Sequence, residues 1–165
     1  TAAFTVARVE PGEMAEGRVQ ILTHHTEQTV WQPRWLTHPN GASGLASLVI
    51  AVADPDEAAA RFARFTGRGA PPTQSGQTVR LDRGRIELMT REAFAFALPE
   101  IAIPSLPFMG AYGVIVKSLD AVEAILRSNA IAARRAGGVL IAPFPEELGK
   151  GAWLFSESGY QSLFG

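Results

Sequence analysis

The chain has no cysteine, which excludes disulfides, thiolate nucleophiles and cysteine-ligated zinc. No apolar run approaches the roughly 18–20 residues a membrane helix needs, and no charged-then-apolar leader is visible. Such a chain suits a reducing compartment, and the cytoplasm is the expected location. Net charge is −1, and Arg134-Arg135 is the only adjacent basic pair. Nucleic-acid binding needs a clustered positive footprint, so it is not expected. No G-x-S-x-G or phosphate-binding loop occurs, and Gly137-Gly138 lacks the spacing of a dinucleotide fingerprint. Lysine is scarce beside arginine. Arginine suits carboxylate and phosphate partners, but GC-rich coding gives the same bias.

What remains is a globular composition: 165 residues, 47% hydrophobic and 19% charged. A chain of that length buries roughly 70% of its unfolded surface, so a real core is expected. Three short segments line up: "GRVQI" at Gly17–Ile21, "GRIEL" at Gly84–Leu88 and "GAWLF" at Gly151–Phe155. Gly17, Gly84 and Gly151 are spaced by 67 residues both times. Each segment reads as a strand leaving a tight turn.

The context of the second and third copies also repeats. Residues Ala46–Ala53 form an apolar, β-branched run, the pattern of a buried strand. "DPDE" supplies an aspartate cap, a proline at the first helical position and acids in the first turn. Gly67 ends the helix, and "TVRLDRGRIELMT" is a hairpin turning at Asp82-Arg83-Gly84. Tyr112–Val116 is the corresponding strand further on. Ser118 caps a helix with Leu119, Val122, Ile125 and Leu126 on its apolar face and a stop at Asn129. Val139–Ala142 and Ala152–Phe155 are the arms of its hairpin. "EAFAFALPEIAIPSLPF", between the units, is proline-punctuated yet apolar, as an ordered linker lying on the core would be.

These residues predict two strand–helix–strand–strand–strand units in an α+β chain. The segments "SLVIAVADPDEAAARF", "GRIELMT" and "EGRVQILTHHTEQTVWQPRWLTHPNGA" resemble the vicinal oxygen chelate superfamily. That group includes glyoxalase I, bleomycin resistance proteins and extradiol dioxygenases; the third segment resembles glyoxalase-like bacterial members. The resemblance implies paired βαβββ modules forming a curved, incomplete barrel, with helices outside and a ligand in the hollow. It divides the chain into residues 1–43, the hairpin and connector of a preceding module; residues 44–107, one module with its linker; and residues 108–165, the second module.

Family enzymes take metal ligands from the first and last strands of each module. By resemblance those slots fall at Ser47 and Glu87, and at Ala111 and Leu154. Only Glu87 is a good ligand, whereas a catalytic metal site normally needs about three. No cofactor is therefore expected, and a divalent metal is a minority reading. Strand alternation turns Ile86 and Leu88 toward a helix and Arg85, Glu87 and Met89 toward the cavity. Glu87 is the leading catalytic candidate: burial would raise its pKa and suit it as a base, or an arginine would keep it ionised.

Alternation also puts Gln20 and His24 on one face, ~13 Å apart along an ideal strand, too far to share one ion. Adjacent His24 and His25 point to opposite faces and cannot chelate together. His24 is a second catalytic candidate, titratable near neutrality, although the expected role of the pair is structural, one histidine satisfied at a strand end and the other exposed. Trp31 and Trp35 sit four apart, as on one helical face, and clamp the connector onto the barrel or wall a ligand. Arg85, Gln20, Ser47, Met89 and Trp31 are the candidate ligand contacts.

The expected function is a glyoxalase-like small-molecule-binding domain without a complete metal site in this chain. The alternative is a metal-dependent lyase or dioxygenase whose site needs an upstream module or a partner chain. The sequence does not decide whether the chain is an enzyme. Expected partners are a small-molecule ligand and, from the unpaired edges of the first hairpin, a second copy in a homodimer; a membrane is not expected.

Overall fold

A computed structural model of the protein describes residues 1–158 and 164. The chain opens with an antiparallel hairpin, β1 (Phe4–Arg8) and β2 (Gln20–His24), followed by a one-turn helix α1 (Glu27–Val30). The first unit then runs β3 (Ala42–Ala51), α2 (Pro55–Thr66), β4 (Gly76–Arg80) and β5 (Arg85–Met89). A linker helix, α3 (Arg91–Ala97), leads to the second unit. That unit is β6 (Phe108–Val116), α4 (Leu119–Ser128), β7 (Arg134–Ala136), β8 (Val139–Pro143) and β9 (Ala152–Ser156).

Strands β3 to β9 form one sheet in the order β4-β5-β3-β6-β9-β8-β7. β3 and β6 pair antiparallel at its centre, and each takes the last strand of its own unit, β5 or β9, as a parallel neighbour. The two halves therefore repeat one topology about the β3–β6 seam. Register shifts interrupt that seam between Ala42 and Gly44, between Leu45 and Ser47, and between Val49 and Ile50. Such bulges bend a sheet and sharpen its twist, and this sheet is open and curved rather than closed.

The helix boundaries follow the local chemistry. The Asp54 carboxylate accepts from the backbone N–H groups of Asp56 and Glu57, Pro55 opens α2, and Gly67 closes it. Ser118 caps α4 through the N–H of Ala121, and Asn129 ends it. α2 packs on one side of the sheet against Ile50, Val52, Val79 and Leu88. α4 covers the same side of the second unit through Leu119, Val122 and Leu126, which meet Val116, Leu140 and Phe155. Because β3 is covered on both faces, it reads as a continuous apolar run rather than an alternating one.

Three expectations need correction. The first unit lacks a full third strand after its helix: Pro71-Pro72 supplies only one isolated bridge, Pro72 to Gln77. Prolines have no N–H to donate, so that segment cannot sustain a ladder. β3 and β6 also start earlier than the apolar runs indicate, at Ala42 and Phe108. Finally, Trp31 and Trp35 do not share a helical face. α1 ends at Val30, Pro33 starts a separate 3-10 turn, and Trp35 is 65% exposed.

The first hairpin forms a two-stranded sheet of its own. Its loop is tied to α2 by Arg61, which donates to both carboxylate oxygens of Glu16 at 2.7 and 2.8 Å and to Glu57 at 2.7 Å. The Glu16 side chain is almost completely buried. The hydrogen bonds from Arg61 hold the Glu16 and Glu57 carboxyls below their usual range.

Candidate functional site

The side of the sheet away from α2 and α4 is concave. Val49 and Ala51 of β3, Met89 of β5, Ala111 of β6, Ile141 of β8 and Leu154 of β9 line it. Its deep half is filled. Phe94 of α3, together with Leu98 and Ile101 of the linker, is buried there, and Phe164 joins the same cluster. Thr90 starts α3 by accepting from the N–H of Ala93, and Arg134 of β7 holds the segment beyond it, bonding Glu100 and the carbonyl of Ala97 at 2.9 Å each. The sheet is shaped for this filling. A Cβ on Gly110 would lie 2.3 Å from the Phe94 ring, so only glycine leaves the ring its room.

Arg85, Glu87 and Met89 alternate onto this concave face, while Ile86 and Leu88 face α2. Glu87 is 3% exposed and accepts a hydrogen bond from Nε of Arg85. Ser47 lies directly beside Arg85 in register and, on its other side, beside Gly113. Its Oγ occupies the space a Cβ at Gly113 would need. Met89 sits deeper, wholly in the apolar cluster. Ser47, Arg85, Glu87 and Met89 thus share one face.

Gln20, His24 and Trp31 belong to the separate hairpin and its connector. Gln20 is exposed. The His24 ring lies between Phe4, at 4.9 Å, and Trp31, at 5.5 Å, and its Nδ1 is buried with no hydrogen-bond partner among the described residues. His25 points the other way and meets Thr5 Oγ1 at 2.7 Å. The guanidinium of Arg83, in the β4–β5 turn, stands 6.0 Å from the Trp31 ring centroid and links this group to the sheet.

At the open end of the concave face, next to that turn, is a cavity of about 330 Å3 lined by Leu45, Arg80, Leu81, Asp82, Arg85 and Ile115, among others. Arg80 pairs directly opposite Arg85 across β4 and β5, so both guanidinium groups arise from the concave face. Sequence reasoning missed Arg80, Leu45 and Ile115. Counting back across the Asp82–Gly84 turn from Arg85 would have found Arg80. Leu45 lies in a bulge, which periodicity does not register. Phe94 was also missed, although Thr90 as a cap, Glu92 in the first turn and the spacing of Phe94 and Leu98 were available signals.

The four positions where the superfamily resemblance puts metal ligands do share the concave side, but their chemistry does not fit a metal. Ala111 and Leu154 have no donor atoms and are packed in the apolar cluster. Glu87 is engaged by Arg85, and Ser47 is a weak ligand. No group of three or more potential ligands occurs among the described residues.

This paired-unit sheet is the fold of the vicinal oxygen chelate superfamily. Residues 1–66 match the family described as a glyoxalase-like domain. Among solved structures, the chain is similar to the methylmalonyl-CoA epimerase from Mycobacterium tuberculosis, with a TM-score of 0.56 and 20% identity over 76% of this chain and 95% of that one. The comparison with curated proteins finds no match. No helix among the described residues is long and apolar enough to cross a membrane.

Proposed function

We propose that the protein is a glyoxalase-like small-molecule-binding domain that takes its ligand at the open end of the concave face, without a metal held by this chain alone. One observation carries this reading: the deep half of the concave face is closed by Phe94, Leu98 and Ile101, whereas the end lined by Leu45, Arg80, Arg85 and Ile115 holds a cavity. Its volume is at the low end of small-molecule sites. The apolar wall would supply contact area, and the arginines would orient the ligand. In this reading the Arg85–Glu87 pair is the polar floor beside the cavity, and Ser47 its neighbour. His24 and Trp31 stand outside it, and Arg83 joins Trp31 to its rim.

The alternative, a metal-dependent lyase or dioxygenase, requires the missing donors to come from another module or chain. Protein treated with a chelator separates the two. A fragment screen followed by backbone amide shifts is expected to give saturable hits at residues 45–47, 80–85 and 115 with no divalent ion present. Ile115→Trp, which fills the cavity, is expected to remove them while the fold persists. Hits that appear only after a divalent ion is added would favour the alternative.

A further inference from the structure

The cavity has an unbalanced charge. Arg80 and Arg85 stand opposite one another on neighbouring strands, and like charges so placed repel. Arg85 is matched by Glu87. In the adjoining turn Asp82 is matched by Arg68, and Arg83 lies over Trp31. Arg80 lines the cavity and makes no ion pair among the described residues. Among the described residues that line the cavity, two arginines (80 and 85) outnumber one carboxylate (Asp82), an excess of one positive charge on a chain whose net charge is −1. An excess of positive charge at a cleft raises the local concentration of anions.

Beside that excess the wall is apolar: Leu45 is 70% exposed and Leu81 37%, and Ile115 completes the lining. We infer that the ligand is a small carboxylic acid with a short aliphatic body, its carboxylate on the guanidinium of Arg80 and its hydrocarbon against Leu45, Leu81 and Ile115. A planar guanidinium matches a carboxylate with two parallel N–H donors. The anion relieves the Arg80–Arg85 repulsion, which a neutral ligand cannot do. Arg85 stays with Glu87 and sets the field without surrendering its partner. This inference rests on the proposed site and names the class of ligand it selects.

The test is a titration followed by amide and arginine side-chain NMR shifts. The probes are straight and branched carboxylates of four to six carbons, their primary amides and inorganic phosphate. The carboxylates are expected to bind at residues 45–47, 80–85 and 115 about fivefold or more tightly than the matching amides, and their affinity should decline with added salt. Arg80→Gln should erase that preference. Arg80→Lys, which keeps the charge and loses the fork, should retain part of it. Amides binding at the same residues as tightly as the acids would overturn the inference while leaving the site in place. Phosphate binding there more tightly than every acid would overturn the aliphatic carboxylate. No shift at these residues with any probe would remove both the inference and the site.

Discussion

Glu87 accepts a hydrogen bond from Arg85, two positions back on the same strand, and the pair lies buried on the concave face of the sheet. The one carboxylate in the four ligand positions is therefore committed to a protein cation. The Arg85 guanidinium occupies one oxygen of that carboxylate.

Glu87→Gln keeps the shape and removes the charge beside the largely buried Arg85 guanidinium. Breaking one side of a buried pair is costly because the other charge remains desolvated. An expected loss of about 2 kcal/mol, reduced from the usual range because glutamine still accepts a hydrogen bond, is measurable by urea unfolding. A neutral result would show that the pair contributes nothing net.

Phe94→Ala should cost about 3–5 kcal/mol, since the ring is fully buried. Gly110→Ala should cost about 1–3 kcal/mol by forcing a methyl into that ring. The double variant should cost less than the sum of the two, because the first change makes room for the second. A double-mutant cycle in denaturant unfolding checks this, and strict additivity would contradict the close contact.

The Glu16 carboxyl is held below its usual value of 4.5 by Arg61. A depressed carboxyl pKa adds stability that is complete above the unfolded value and is lost as pH falls through the folded one. Stability should therefore decline below about pH 4.5, and Glu16→Gln should flatten part of that decline. The same variant should raise amide exchange in the β1–β2 loop. An unchanged acid limb would mean that the loop is not held this way.

Trp31→Ala should loosen the first hairpin rather than the main sheet. Trp31 contacts His24 and lies near Arg83, and those contacts connect the hairpin to the β4–β5 turn. Hydrogen exchange should quicken in residues 4–8 and 20–24 and stay slow in β3 and β6.

Much of this architecture was legible in the sequence because its signals are local. The Asp54 and Ser118 caps, the Gly67 stop and the alternation through Arg85, Glu87 and Met89 depend on neighbouring residues. They also carried the repeated unit and the side each strand residue faces. The filled hollow was not legible. Whether "EAFAFALPEIAIPSLPF" lies over the core or within it depends on the glycine at 110 and on Arg134 across the sheet, both distant in sequence. Arg80 was missed because its significance comes from standing opposite Arg85, a relationship set by turn length. Alternation from Gln20, aligned with Glu87, turns His24 toward a cavity, whereas among the described residues β1 and β2 form a two-stranded sheet of their own.

The central claim is a ligand site that works at the open end of the concave face without a metal. It is tested most directly by titrating chelator-treated protein with 4-methylpentanoate and following backbone and arginine side-chain shifts. The account predicts saturable shifts at Leu45, Arg80, Arg85 and Ile115, with affinity about fivefold lower in Arg80→Gln. Shifts confined to other surfaces, or binding that appears only once a divalent ion is supplied, would contradict it.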